Sequence, residues 1–362
     1  MTCSDFSRRD FFHHATAAAA AIALTRQEAM AASRKHEPIK IGQIGVGHSH
    51  AKGKMEAYRQ SSDYEVIGIV EPDESLLREA EQEPIYQGLQ WMSREQLLNS
   101  AGLQAVAVET GLDDLLPNAE AAAAAGIHIH LDKPPGSTLS RFRGVLEEAA
   151  RRDRVLQMGY MYRYNPGIVL LKEMLKKGWL GDIFEIHTVM SKPVGESKRR
   201  RWAELPGGTM FELGCHLIDL VVSVLGQPLD LSTFNQHSST LDDGLLDNML
   251  SVLTYPRATA TIRSSALEVE GFDRRHFVVC GSEGTLHIQP LDDPAVRLAL
   301  DEPRSSYTEG YQDIDVGIYQ RYVDDAADFA KIIRGVKETD YPVSHDLAVQ
   351  ATVLRACELP LD

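Results

Sequence analysis

The sequence predicts two domains: an α/β domain with a parallel sheet, then an α+β domain with an open, mostly antiparallel sheet. Three observations support this. The length of 362 residues favours two domains over one. From Pro38 to Met158, short apolar runs alternate with helical segments, as in a parallel sheet wrapped by helices. After Arg163, strand-like segments follow one another with few helices between them, as in an antiparallel sheet.

Composition excludes several classes of protein. Hydrophobic residues make up 43% of the chain and charged residues 25%, which is typical of globular proteins and excludes disorder and coiled coil as the main architecture. The formal net charge of −15 argues against a nucleic acid or an anionic membrane surface as partner. The apolar run near the N-terminus is shorter than the ~20 residues that span a bilayer, so no membrane insertion is expected.

The first residues have the pattern of an export signal. Two arginines, Arg8 and Arg9, precede an alanine-rich stretch over 15–24, and Ala29-Met30-Ala31 has the form of a small-residue cleavage site. This order indicates a twin-arginine signal over 1–31 and a periplasmic or other extracytoplasmic location. The alternative is a frayed amphipathic helix. Cleavage after residue 31 would leave an odd number of cysteines, which argues against a disulfide framework.

The first domain is predicted over 38–158 and the second over 159–362. In the first domain the patterns predict strands over 39–44, 64–70, 104–109, 127–131 and 154–158, with helices over 50–60, 74–82, 93–100, 117–125 and 138–151. In the second domain they predict strands over 183–190, 231–237, 248–255, 258–264, 276–281 and 285–289.

A candidate dinucleotide site lies at the end of the first strand. Gly45 and Gly47 stand between that strand and the next helix, where the backbone must turn tightly and approach a pyrophosphate closely. Glu71 ends the second strand, where a carboxylate accepts hydrogen bonds from ribose hydroxyls and repels a 2′-phosphate. We therefore expect NAD, with NADP less favoured. The third position of the glycine pattern is occupied by His50.

A candidate proton-transfer group is split between the two domains. Lys133 follows the strand over 127–131 and so lies at the edge where parallel sheets bind ligands. Glu212 and His216 are four residues apart on a predicted helix, which places them on one helical face. Asp219 is three residues further on, from where it could orient the imidazole of His216. A lysine, an imidazole and a carboxylate suit proton transfer at a sugar alcohol.

These motifs resemble the Gfo/Idh/MocA family (glucose–fructose oxidoreductase, inositol dehydrogenase and rhizopine catabolism). Asp132-Lys133-Pro134 is similar to the family's Glu-Lys-Pro motif, and Glu212 with His216 is similar to its Asp-x-x-x-His pair. Further similarity, over nearly all of 38–360, lies in Tyr160–Pro166, Trp202, Gly207-Gly208, Arg321–Tyr341 and Pro342–Leu359.

The resemblance implies a Rossmann domain followed by an α+β domain, with the active site between them. It implies that His216 is the acid/base, that Lys133 stabilises the developing alkoxide and that Glu212 binds substrate hydroxyls or the imidazole. The residues it implies for cofactor binding are Gly45, Gly47, His48, Glu71, Thr110, Asp132 and Lys133. Those it implies for substrate binding are Tyr160, Arg163, Trp202 and Asp219. A homo-oligomer formed through the second-domain sheet is also implied.

The function expected from the resemblance is NAD(P)-dependent hydride transfer at a hydroxyl of a sugar, cyclitol or sugar derivative. Two alternatives stay open: an NAD-retaining enzyme that cleaves glycosides by transient oxidation, and a non-catalytic sugar-binding relative. The export pattern suits the first alternative, because a periplasm has no NAD pool to recycle a free cofactor.

Three other patterns in the sequence have simpler interpretations than a functional one. The two His-x-His pairs, at 48/50 and 128/130, invite a metal, but no carboxylate follows at ligand spacing and no metal is expected. Cys215 is adjacent to His216, so the two side chains diverge on a helix and Cys215 is expected to pack. The basic run over 198–202 is either a solvated face or an aid to binding an acidic or phosphorylated sugar.

Overall fold

The first half of the chain forms a five-stranded parallel sheet with the strand order β2-β1-β3-β4-β5. The computed structural model describes residues 37–362, so the export pattern over 1–31 lies outside the described residues. The strands are β1 (Ile39–Ile44), β2 (Tyr64–Val70), β3 (Ala105–Val108), β4 (His128–Leu131) and β5 (Leu156–Met158). Each of these five strands matches its predicted range to within two residues at each end. The predicted parallel α/β sheet is confirmed.

Helices cover both faces of this sheet, and β3 is accordingly buried at every position. They are α1 (Ala51–Gln60), α2 (Glu74–Ala80), α3 (Arg94–Leu98), α4 (Leu112–Ala124) and α5 (Leu139–Arg151). The predicted start of α4 at Pro117 is wrong, because the helix already begins at Leu112 and contains the proline. Asp113 and Asp114 lie in its first turn, where carboxylates stabilise the positive end of the helix dipole.

The second half forms an eight-stranded sheet with the order β13-β12-β11-β10-β6-β9-β8-β7. Its strands are β6 (Ile183–Ser191), β7 (Asp230–Gln236), β8 (Asn248–Thr254), β9 (Thr259–Ser265), β10 (His276–Gly281), β11 (Gly284–Ile288), β12 (Val296–Leu300) and β13 (Gly310–Ile314). The first six of these match the predicted strands to within one residue at each end, whereas β12 and β13 were not predicted.

The sheet is mostly antiparallel, as predicted, but its strands are not all sequence neighbours. The central pair β6 and β9 is parallel. The reason is the long helical excursion between β6 and β7, after which the chain re-enters at the far edge and returns through β8 to the side of β6. The helices of this half are α6 (Pro166–Lys176), α7 (Glu196–Ala203), α8 (Cys215–Leu225), α9 (Val323–Ile333) and α10 (Val343–Ala356). No helix within 37–362 is both long and apolar enough to span a membrane.

A buried ion cluster joins the inter-domain connection to two of these helices. Arg163, in the short turn Met161–Tyr164, donates hydrogen bonds to Asp219 on α8 at 2.6 Å and to Asp346 on α10 at 2.7 Å. His345 lies 3.2 Å from the same oxygen of Asp219. The side chains of Arg163 and Asp219 are 1% and 0% exposed, so the guanidinium compensates carboxylates that water does not reach.

Replacing Arg163 with Met should therefore destabilise the fold strongly. The substitution leaves two buried carboxylates without their cation, and breaking a buried pair in this way costs about 3–5 kcal/mol. Urea unfolding of the full chain at neutral pH measures the loss. The matched control is Arg141→Met, whose exposed pair with Glu120 is worth about 1 kcal/mol or less. Equal stability of the two variants would contradict a structural role for Arg163.

Candidate active site

A long cleft runs along the carboxyl ends of the parallel strands. One part, of about 640 Å³, is lined by Glu71, Thr110 and residues at the ends of β1 and β2. A second part, of about 390 Å³, is lined by His48, Lys133 and Trp202. Gly47 and Gly111 line both parts, so the two meet there. The cleft thus leads from the acidic end of β2 to the lysine at the end of β4.

The glycine loop at the end of β1 is shaped for close approach of a ligand. Gly45 has a φ of +89°, and a Cβ on it would lie 2.8 Å from the Cα of Thr110. The carboxylate of Glu71 accepts hydrogen bonds from the backbone N–H groups of Val46 and Asp73, each at 2.9 Å. Glu71 therefore lies against the loop, at the wall of the larger cavity. These residues fit a dinucleotide, with Glu71 at its ribose and the glycine loop at its pyrophosphate.

Two histidines of this loop turn inward onto a buried carboxylate. Asp132 lies 2.5 Å from Nδ1 of His48 and 3.1 Å from Nδ1 of His50. It also accepts a hydrogen bond from the backbone N–H of Lys133 at 2.6 Å. Asp132 is 0% exposed and lines neither part of the cleft. It therefore supports the loop and Lys133 from behind, and its side chain faces neither part of the cleft.

Behind Asp132 lies a buried lysine. Nζ of Lys54 is 2.8 Å from Oε1 of Glu109 and 3.6 Å from Oδ2 of Asp132. Burial alone would raise the pKa of Asp132, but His48 and Lys54 hold it well below its ordinary value. Burial and the neighbouring Asp132 raise the pKa of Glu109 well above its ordinary value, despite Lys54. Burial lowers the pKa of His50 to about 3, so that this imidazole is neutral.

Lys133, Glu212 and His216 are brought together at the inner end of the cleft, as expected. Nζ of Lys133 donates a 2.9 Å hydrogen bond to the backbone carbonyl of Glu212 and lies 3.6 Å from its carboxylate. Lys133 is 2% exposed and His216 is 3% exposed. Burial by itself would lower the pKa of Lys133, but the nearby Glu212 carboxylate acts in the opposite direction. The resulting pKa lies above the ordinary value, and the lysine stays charged. Burial would raise the pKa of Glu212, but Lys133 and His48 lower it, and the carboxylate stays ionised.

The segment that carries Glu212 is not a regular α-helix. Met210–Gly214 forms a π-helical turn that runs into α8. π-Turns inside helices occur frequently at functional sites. Here the turn presents both the carbonyl and the carboxylate of Glu212 to Lys133. The spacing of four residues correctly predicted that Glu212 and His216 face one cavity, but not this local geometry.

His216 is neutral and its ring has a free nitrogen. Burial and the Lys133 ammonium lower its pKa well below the ordinary value. The rings of Tyr162 and Tyr160 pack edge-on against it, with centroids 5.2 and 5.9 Å away. Within residues 37–362, Nδ1 of His216 has no hydrogen-bond partner. The expectation that Asp219 orients this ring is wrong, because Asp219 is held by Arg163 and His345 instead.

A third cavity, of about 200 Å³, lies between the two domains beside His216. It contains residues that the sequence patterns did not identify. They are Lys192, at the end of β6, and Tyr322, Arg275 and Arg321. Tyr322 has a φ of +69°, and its ring packs 5.6 Å from that of His50. No local motif marks these residues, because segments far apart in the sequence supply the walls of the cavity.

The four residues proposed for substrate binding lie in different places. Trp202 lines the second part of the cleft. The ring of Tyr160 touches His216, but Tyr160 is 2% exposed and does not line the cavity beside it. Arg163 and Asp219 pair with each other and also do not line that cavity. For Arg163 and Asp219 the structure therefore shows a structural contact where the family resemblance implied a substrate contact.

The histidine pairs do not converge on one point. His130 is bonded to Asp325 at 3.1 Å, and Nδ1 of His128 accepts from the backbone N–H of Val155. His48 and His50 do meet a carboxylate, Asp132, which sequence spacing could not show because it comes from another strand. Cys215 is buried beside Glu212, and burial raises the pKa of its thiol to about 12, which does not suit a nucleophile.

The parallel sheet has a glycine loop after its first strand, a carboxylate at the end of its second strand and a lysine–histidine pair beside the cleft. Together these features define a dinucleotide-dependent oxidoreductase. Sequence comparison gives the same class. The profile of the oxidoreductase family with an NAD-binding Rossmann fold matches residues 39–160, and the GFO/IDH/MocA C-terminal domain matches residues 168–287. The chain belongs to the Gfo/Idh/MocA family of oxidoreductases.

Similar proteins include named oxidoreductases and dehydrogenases. The uncharacterized oxidoreductase YdgJ of Escherichia coli is 27% identical over 300 residues, covering 78% of this chain and 80% of YdgJ. The myo-inositol 2-dehydrogenase of Thermotoga maritima is 23% identical, covering 72% of this chain and 78% of that enzyme. A crystal structure of an Agrobacterium radiobacter oxidoreductase with NAD+, L-tartaric acid and magnesium has a TM-score of 0.75 and 17% identity, covering 87% and 94% of the two chains.

The electrostatics of the site predict how His216 titrates. Because the Lys133 ammonium contributes to lowering the pKa of His216, Lys133→Met should move that pKa upward toward the ordinary value of about 6.5. Imidazole ¹⁵N NMR across a pH series measures both proteins. His287, on the second sheet, should titrate identically in both and serves as the control. A wild-type His216 that titrates near 6.5, or a downward shift in the variant, would contradict the geometry.

Proposed function

We propose that the protein transfers hydride between a hydroxyl-bearing carbon of a sugar, cyclitol or sugar derivative and a nicotinamide cofactor. The observation that carries the proposal is the neutral imidazole of His216, which lines the inner cavity next to the Lys133 ammonium at the inner end of the dinucleotide cleft. The sugar and cyclitol class is supported by relatives named as inositol and glucoside dehydrogenases.

The chain's own residues divide the work as follows. In the oxidation direction His216 accepts the proton of the substrate hydroxyl, for which its neutral ring is ready. Lys133 donates a hydrogen bond to the same oxygen and stabilises the negative charge that develops there. Glu212 keeps Lys133 in place and offers its carboxylate to a neighbouring hydroxyl. A nicotinamide cofactor bound in the cleft would supply the hydride acceptor, so that the hydroxyl becomes a carbonyl and one proton stays on His216.

We infer that NAD is the preferred cofactor and that NADP is disfavoured. The support is Glu71, whose carboxylate lines the larger cavity at the position of the adenine ribose. A 2′-phosphate there would meet a negative charge.

A second candidate function is glycoside cleavage by transient oxidation with a retained cofactor. It is favoured by the twin-arginine pattern over 1–31, with which we also propose export to the periplasm. In that reaction the same proton acceptor and the same hydride acceptor are used, but the hydride returns to the substrate. The two functions therefore share Lys133, His216 and Glu212 and differ in whether reduced cofactor accumulates.

The catalytic assignment predicts large losses of activity. On a panel of aldoses, cyclitols and glycosides, His216→Ala should lower kcat/KM by about 10²–10⁴, the usual value of a general base. Lys133→Met should lower it by about 10²–10³, as expected for one donor to a developing oxyanion. Absorbance of reduced nicotinamide reports turnover, and product sugars are separated by chromatography. Lys331→Met, an exposed lysine on α9, should stay within twofold of wild type.

Several results would contradict this picture. Unchanged turnover in His216→Ala and Lys133→Met would remove the site assignment. Nucleotide that survives gel filtration, with glycoside cleavage and no accumulation of reduced cofactor, would favour the second candidate over simple dehydrogenation. Recovery of the protein from the cytoplasmic fraction alone would contradict export.

Cofactor preference gives a further prediction. Wild-type protein should bind NAD more tightly than NADP, and Glu71→Ser should weaken NAD by about 10- to 100-fold, since a hydrogen bond to a charged group is worth about 1.5–3 kcal/mol. The same change should improve NADP relative to NAD. Titration followed by protein fluorescence measures both constants. Glu74→Gln, on the exposed start of α2, is the control, and equal affinities for the two cofactors in wild type would refute the role of Glu71.

A further inference from the structure

The cavity beside His216 is lined by far more positive than negative charge. Its cations are Lys133, Lys192, Lys198, Arg275 and Arg321, and the one carboxylate among its lining residues, within the described part of the chain, belongs to Glu212. This excess stands out because the whole chain carries a net charge of −15.

Three of these cations have a carboxylate partner. Lys133 lies 3.6 Å from the carboxylate of Glu212. Arg275 lies 2.7 Å from Oδ2 of Asp292, and Arg321 bonds to the other oxygen of the same carboxylate. All three cations thus have an internal carboxylate contact, although Arg275 and Arg321 share a single one.

The other two, Lys192 and Lys198, have no carboxylate partner within residues 37–362. Both ammonium groups lie near one indole, 4.9 and 5.5 Å from the ring centroid of Trp202. Burial and the nearby Lys198 lower the pKa of Lys192 to about 8. Two like charges thus stand together at a partly buried wall with an aromatic face as their shared neighbour.

On the helix α7, basic residues on one side line the cleft, whereas a basic residue on the other side does not. Lys198 and Arg201, three residues apart on one face, both line the adjoining part of the cleft. Arg200 lies on the other side, where it bonds to Glu196 and lines neither cavity. Arg201 has no carboxylate partner in the described chain and is exposed at the mouth, from where it can attract an anion entering the cleft.

We propose that the substrate carries a negative charge, a carboxylate or a phosphate on the sugar or cyclitol, which Lys192 and Lys198 bind while its reacting hydroxyl faces His216. This inference rests on the proposed function and narrows its substrate class. An anion at this point gives both lysines a charge-assisted partner, whereas a neutral sugar leaves them facing each other. The pyrophosphate of the cofactor is a poorer partner for Lys192, which lines the cavity beside His216 and not the glycine-loop cleft.

The test measures binding, so that it does not depend on turnover. NAD-loaded protein is titrated calorimetrically with D-glucose, D-glucuronate and D-glucose 6-phosphate, and with the galactose counterparts of all three. We expect at least one anionic sugar to bind ten times more tightly than its neutral parent. Whether the uronate or the phosphate shows this preference identifies the anionic group.

Variants then tie the preference to the two lysines. Lys192→Met and Lys198→Met should each reduce the preference to threefold or less, because the anionic sugar loses more affinity than its neutral parent. Lys192→Arg should restore most of it. Arg200→Met, the matched control on the same helix, should keep the full preference.

The proposal is overturned if no anionic sugar binds more tightly than its neutral parent, or if both lysine variants keep the preference. It is also overturned if Lys192→Met weakens NAD and leaves sugar discrimination intact, since the cation would then serve the cofactor. Failure of the proposed function has a different signature: the charge preference persists but no member of the panel is oxidised, reduced or cleaved.

Discussion

The contact between Lys133 and Glu212 is the interaction on which the site depends. Lys133 comes from the end of a parallel strand in the first domain, and Glu212 from a π-helical turn in the second. The ammonium is almost fully buried, so it needs both the carbonyl and the carboxylate of Glu212. This contact therefore ties the edge of the parallel sheet to the segment that runs into α8.

The same buried cation governs the chemistry around it. It lowers the pKa of His216, which keeps that imidazole neutral and able to accept a proton. Asp132 accepts a hydrogen bond from the backbone N–H of Lys133 and contacts the two inward-facing histidines of the glycine loop. The cavity that results is positively charged, because Lys192 and Lys198 add to it without carboxylates of their own in the described chain. The neutral imidazole of His216 can take a proton from the substrate, and the cationic wall of the cavity stabilises negative charge on it. Both features favour a substrate that is negatively charged at that end or becomes so during the reaction.

The sequence allowed most of the fold and the centre of the site to be predicted. Eleven of the thirteen strands in the described chain were predicted to within one or two residues, because period and length of apolar runs are local properties, whereas β12 and β13 were missed. Gly45, Glu71, Lys133 and His216 were found because each stands at a strand end or helix start that the local pattern marks. The parallel pairing of β6 with β9 was missed, because strand order depends on where the chain re-enters the sheet.

Asp219 shows where sequence reasoning ends. Its spacing from His216 allowed a contact between the two side chains. Instead, its carboxylate accepts hydrogen bonds from the guanidinium of Arg163, which lies fifty-six residues earlier in the chain. By itself the sequence determined the strands of the parallel sheet, the glycine loop and the types of group available for proton transfer. Each of these is set by residues that are close together in the sequence. Only the tertiary structure decided which charges are paired inside the protein and which are left for a ligand. That choice depends on distances between remote segments and on the exclusion of water.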